Sequence, residues 1–133
     1  VAGKKFAYLA DRKLSYKDLE TLPVMCLEGN TSTRAYVEGF LRENSVHLQP
    51  EFELATSDML IRFAIRGFGI AGVAEDFALE AMEKGEIFRL HFDREIPKRH
   101  FCIVTDEKVP MTAAARRFLD LLEDKCTSDK NKT

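Results

Sequence analysis

The sequence lacks the features that announce several large protein classes. No apolar run approaches the roughly 20 residues that a bilayer crossing needs, and no signal peptide is visible. There is no excess of positive charge. Twenty Lys and Arg stand against 22 Asp and Glu, a net charge of −2, so the chain is a poor candidate for gripping a phosphate backbone by itself. Cysteine is scarce: Cys26, Cys102 and Cys126 are all there is. An odd number of thiols, in a chain long enough to build its own core, reads as reduced cysteines in a cytoplasm rather than as a disulfide framework. The length of 133 residues fits one domain. The chain starts at Val1 rather than Met, as a piece of a longer protein would.

Signatures of catalysis and of metal binding are also missing. His47, His91 and His100 form no Cys-x-x-Cys or His-x-x-x-His spacing with one another or with the cysteines, so no metal site is expected. Cys26 sits in the apolar run Pro23-Val-Met-Cys-Leu27, where an inert core thiol is the natural reading. His100 and Cys102 share one strand face but lack a third partner. No Gly-x-Ser-x-Gly elbow and no Gly-Lys-[Ser/Thr] phosphate loop occurs. These absences disfavour an enzyme, and no catalytic residue or cofactor is assigned.

What is present is an alternation of strand and helix signals. Ser15 with Asp18 caps a short helix to Glu20, which Pro23 prevents from continuing. A strand over 23–27 precedes a helix from Thr31-Ser-Thr33 to about Asn44, with Tyr36, Val37, Phe40 and Leu41 on one face. A strand over 52–55 leads to Thr56-Ser-Asp58, a second cap, and to a helix over 59–66 with Gly67 as its left-handed terminator. A strand over 70–73 and a helix from Glu75-Asp76 to Lys84-Gly85 follow. Strands are predicted over 87–92 and 99–105, separated by Pro97. Pro110 is placed at the first position of a last helix, whose stripe is Met111, Ala114, Ala115, Phe118 and Leu122. Residues 1–11 carry no clear period. The alternation predicts an α/β chain with a mixed, mostly parallel sheet.

Two motifs invite a ligand. Gly67-Phe-Gly69-Ile-Ala-Gly72 is a literal Gly-x-Gly-x-x-Gly, but a dinucleotide loop needs a strand before it and a helix starting inside it. The cap signals predict the reverse order, so a nucleotide-binding enzyme fragment stands as the alternative only if residues 59–65 form a strand. The hydroxyl clusters Asn30-Thr-Ser-Thr33 and Thr56-Ser57 each follow a strand and open a helix. Taken singly each is a cap; two of them at strand ends in one small α/β domain suggest a shared ligand crevice.

The order of these pieces resembles the effector-binding domain of LysR-type transcriptional regulators. The resemblance lies in the run from Thr56 to Phe77, in Leu14-Ser-Tyr-Lys-Asp-Leu-Glu-Thr-Leu-Pro23, in Asn30-Thr-Ser-Thr-Arg34, and in Ala115-Arg-Arg-Phe-Leu-Asp-Leu121. It implies a fold like the type II periplasmic binding proteins, here one Rossmann-like α/β subdomain over about 10–105. Residues 106–125 would be the closing helix of the other subdomain, within a partial domain over 1–126, and 127–133 a disordered tail. It also implies that the family's N-terminal winged helix-turn-helix and part of the first subdomain lie outside this chain, so DNA is a partner only through that missing module. In such regulators a small effector, commonly an organic acid or metabolite, binds between subdomains and shifts their equilibrium. Residue by residue, the resemblance places Asn30, Thr31, Ser32, Thr33, Thr56 and Ser57 at the effector. A third reading is a solute-binding protein of the same fold, which the free thiols and the lack of a signal peptide disfavour. The stripe of the last helix, separated from its usual docking surface, is expected to fold onto its own subdomain or to pair in a homo-oligomer.

Overall fold

The computed structural model describes residues 1–99, 102–106 and 108–129, with side chains in the last helix as far as Leu122. Two compact units divide at Lys98 and Arg99. In the first, β1 (Ala2–Gly3) runs into a 3-10 helix over Lys4–Leu9, then β2 (Lys13–Leu14) and a second 3-10 helix over Tyr16–Glu20. The predicted Ser15–Asp18 capping box is present, with Ser15 N donating to Asp18 Oδ2 at 2.7 Å. Then come β3 (Val24–Leu27), α1 (Ser32–Glu43), β4 (Phe52–Leu54), α2 (Ser57–Ile65), β5 (Ile70–Ala71) and α3 (Glu75–Glu83). Two further strands, β6 (Ile87–Phe88) and β7 (His91–Phe92), complete the unit.

All four residues of β3 are buried, as a strand covered on both faces must be. It pairs in parallel with β4 on one side, Met25 opposite Phe52 and Leu27 opposite Leu54, and with β5 on the other, Val24 opposite Ile70. The order is therefore β4-β3-β5. The pleat sends Met25 and Leu27 to one face, where they meet Leu60, Ile61 and Ala64 of α2 and Ala78 and Ala81 of α3. Val24 and Cys26 go to the other, with Ala2, Phe6, Leu9, Leu14, Ile70 and Leu90. Burying a residue such as Leu60 or Leu9 stabilises the fold by about 2 kcal/mol. Tyr16, stacked on Phe92 at 4.9 Å, joins Leu41 and Val46 in a third cluster.

Three helices end on a left-handed residue. Gly67 (φ +75°) and Gly85 (φ +66°) do this where a side chain is disfavoured, and Ser45 (φ +59°) does it after α1. After α2 the amide of Gly67 donates to Ala64 O and that of Phe68 to Phe63 O, the double bond of a Schellman motif. The sheets are mixed but mainly parallel: β2–β7, β3–β4 and β3–β5 run parallel and β1–β6 antiparallel.

Several expectations need correction. The segment 87–92 is not one strand. Ile87 and Phe88 pair antiparallel with β1, whereas His91 and Phe92 pair parallel with β2, and Leu90 turns into the core between them. The strand predicted over 99–105 is absent at residues 99 and 102–105, which have no neighbouring strand among the described residues to complete a ladder; His100 and Phe101 lie outside the described residues. In the second unit α4 (Ala113–Asp129) begins at Ala113 rather than Pro110, because Thr112 Oγ1 accepts from Ala115 N at 3.2 Å and so caps the helix. It continues through Asp129, three residues into the expected tail; residues 130–133, like the Cys126 side chain, lie outside the description. The stripe of α4 is not buried, with Phe118 at 62% exposure, and Ile103, Val104, Met111 and Phe118 line an open groove of about 470 Å³ within this unit.

The three glycines of the 67–72 run should respond differently to alanine, read as shifts in urea midpoint. At Gly69 a Cβ would stand 2.4 Å from the carbonyl oxygen of Pro23, so a loss of about 1–3 kcal/mol is expected. Gly67→Ala should lose about 1–2 kcal/mol through its left-handed φ. Gly72 faces open space and should stay within roughly 0.5 kcal/mol of the parent. A Gly72→Ala loss equal to that of Gly69→Ala would contradict this packing.

Candidate functional site

Because β3 and β4 are parallel neighbours, their carboxyl ends emerge at the same edge of the sheet. The ladder closes with Leu27 opposite Leu54, and the Glu28 amide donates to Leu54 O at 3.1 Å. Beyond that point the two chains diverge to opposite faces, each through a helix start. Thr31 has extended backbone (φ −91°), and its Oγ1 accepts from Arg34 N at 3.2 Å while donating to Glu28 O at 3.0 Å. Thr56 does the same for α2, accepting from Met59 N at 3.3 Å. Both threonines thus satisfy a first-turn amide that has no partner within its helix.

The six residues predicted for a ligand are divided by this geometry. Thr31 and Thr56 are occupied as caps. The side chains of Asn30, Thr33 and Ser57 make no hydrogen bond among the described residues; Asn30 and Ser32 are exposed, and Thr33 and Ser57 half-buried. The two clusters lie on adjacent strand ends, which places them in one neighbourhood.

Arg34 is the residue that sequence reasoning passed over. It is 6% exposed, the single buried charged residue among those described. Nη1 donates to Leu27 O at 2.9 Å, Nε to Glu38 Oε1 at 2.7 Å, and Nη2 reaches Glu38 at 2.6 Å and Glu53 at 3.2 Å. Burial works against its charge, but the bond to Glu38 and the fields of Cys26, Glu38 and Glu53 outweigh that and hold its pKa above the usual value. The available signal was the Arg34–Glu38 spacing of four on a helix; Glu53 comes from another element. With these partners Arg34 is engaged rather than offered to an anion.

The third strand end, after β5, leads through Gly72 and Val73 into α3, whose first turn carries Glu75 and Asp76. Glu75 forms an ion pair with Arg89. A cavity of about 540 Å³ opens here over the Val24–Cys26 face, bounded by Ile70, Leu41, Tyr16 and Phe92. None of the six predicted residues lines it. Cys26 forms part of its floor, and burial pushes that thiol above its ordinary pKa, with Arg34 opposing and Glu38 and Glu53 adding to the shift. A protonated core thiol is no nucleophile.

The Gly-x-Gly-x-x-Gly run is decided by its surroundings. Helix α2 precedes Gly67 and strand β5 follows Gly69, the reverse of a dinucleotide loop. Gly67 ends a helix and Gly69 lets the chain pass close to Pro23. A helix, glycine turn and strand in this order, after two capped helix starts, is the pattern that a family comparison bears out: the LysR substrate binding domain matches residues 1–127. The chain belongs to the LysR substrate binding domain family. No curated protein matches the sequence.

A LysR substrate binding domain has the type II periplasmic-binding-protein-like fold, and the mixed, mostly parallel strands found here agree with it. It is a ligand-sensing, regulatory part of a LysR-type transcription regulator, a class of regulators rather than of enzymes. Among the described residues no group of His, Cys, Asp or Glu is placed to hold a metal ion, and no helix is long and apolar enough to cross a membrane.

The burial of Cys26 gives a direct test. In the folded chain at pH 8, an alkylating reagent followed by peptide mass analysis should label the exposed Cys102 and leave Cys26 unmodified until denaturant is added. Labelling of Cys26 at the rate of Cys102 would show that its strand opens freely.

Proposed function

We propose that this LysR substrate binding domain senses a small metabolite, most simply an organic acid, through the edge where β3 and β4 end. The observation that carries the reading is the pairing of two parallel strands whose following loops carry Thr31 and Thr56, both of which cap helix starts. First-turn amides and the helix dipoles give such an edge a positive character. Asn30, Ser32, Thr33 and Ser57 supply hydroxyl and amide groups to orient the ligand, while Thr31 and Thr56 shape the two loops.

The effector acts by binding two arrangements of the domain unequally, so that its binding energy shifts their populations. Helix α4 serves as the closing helix of a second subdomain, and its exposed Phe118 stripe is covered there or by another copy in a homo-oligomer. DNA is contacted by an N-terminal winged helix-turn-helix of the whole regulator, in the cytoplasm, and the domain itself carries out no catalysis.

The test uses the full-length regulator with a reporter gene and a panel of small carboxylic acids. Thr31→Ala and Thr56→Ala should each cost about 1 kcal/mol of stability through the lost cap, and together they should abolish the effector response. Thr→Ser at both positions should preserve it. A double alanine variant that folds, binds DNA and responds as the parent does would remove these loops from the site.

A further inference from the structure

We infer that Arg34 is a positioning residue that fixes the β3–α1 loop and the β4–α2 loop relative to one another, making the two helix starts one unit. The inference rests on the reading of those loops as the effector site and adds how they are held.

The backbone alone does not hold them. The last bond between the two chains on this edge's ladder is Glu28 N to Leu54 O; past it one loop turns to α1 and the other to α2 on opposite faces. Arg34 spans the gap with two contacts on the β3 side and one on β4. Its amide is the one that Thr31 caps. Its guanidinium closes on Leu27 O, the final carbonyl of β3, which is directly opposite Leu54. The same guanidinium reaches Glu53, three residues before the Thr56 cap. Glu38, one turn further along α1, accepts from both Nε and Nη2 and orients the group. A planar fork with five donors can serve a carbonyl and two carboxylates at once; a lysine ammonium at that position cannot match this arrangement. The guanidinium itself is 6% exposed while Glu38 and Glu53 keep 32% and 48% of their side-chain surface in water, so removing one carboxylate leaves the buried cation under-compensated. The start of α1 is thereby tied through a single side chain to β4, one residue from the strand end that leads into the β4–α2 loop.

The test separates the two carboxylates and needs no ligand. Glu53→Gln weakens the tie to β4, and Glu38→Gln weakens the brace within α1. Amide exchange by NMR is measured at Arg34 and Met59, the two capped amides, and across α2, α3 and β5 as a reference. With Glu53→Gln, exchange at Met59 should rise by roughly fivefold, the scale of a weakened cap, with the reference amides unchanged. With Glu38→Gln the Arg34 amide should respond and Met59 should not. Arg34→Lys should resemble Glu53→Gln at Met59. Overturning results are an unchanged Met59 amide in Glu53→Gln, a Met59 response in Glu38→Gln equal to that in Glu53→Gln, or uniform acceleration through the unit, which would make Arg34 a general stabiliser. An effector response lost with the threonines but indifferent to Glu53→Gln would leave the site standing and sink this coupling; loops coupled by exchange with no effector response at either threonine would do the reverse.

Discussion

The first unit depends on one constraint: β3 has no wet face and no free edge. Four consecutive buried residues must be covered above and below, and both neighbours must run parallel to it. A parallel partner cannot be reached by a tight turn, so each connection becomes a helical crossover. The chain steps from β3 to β4 on one side, then back across β3 to β5 on the other. Right-handed crossovers in opposite directions put α1 and α2 on opposite faces, and the Met25–Leu27 and Val24–Cys26 clusters are the packing that results. The same rule sends the helix starts after β3 and β4 to one edge of the sheet.

Polar groups at that edge are largely occupied, and this narrows what a ligand can use. Thr31 and Thr56 hold amides, and Arg34 is surrounded by a carbonyl and two carboxylates. If the proposed site is the right one, such an arrangement favours shape and preorganisation over strong attraction, because loops set beforehand leave less ordering to be done on binding. For a sensor this suits the task, since the signal is a difference in affinity between two states rather than the tightest grip on one.

Much of this was legible in residue order. The Ser15–Asp18 box, the threonine caps, Gly67 as a helix terminator and the apolar spacing of α2 are local features, each decided within about one turn of helix. The helix-then-strand order around Gly67 followed from them and exposed the glycine run as a look-alike. Pairing decided by distant residues was not legible. Strands of two residues such as β1, β2, β6 and β7 have no period to detect, and only their partners define them. The break at Arg89–Leu90 arises because one segment serves two sheets of opposite sense. In the site, the caps could be read from short polar residues before apolar runs. The burial of Arg34 could not, because Glu53 belongs to another strand and its approach depends on the β3–β4 register.

The register and sense of β3 against both neighbours test this account most directly. Backbone NOEs on an isotopically labelled chain should connect Met25 with Phe52 and Leu27 with Leu54 on one side, and Val24 with Ile70 on the other, all in the parallel pattern. That result would place both capped helix starts at one edge, as the proposed sensing site requires. An antiparallel pattern, or a β3 paired on one side only, would contradict the fold and the site together.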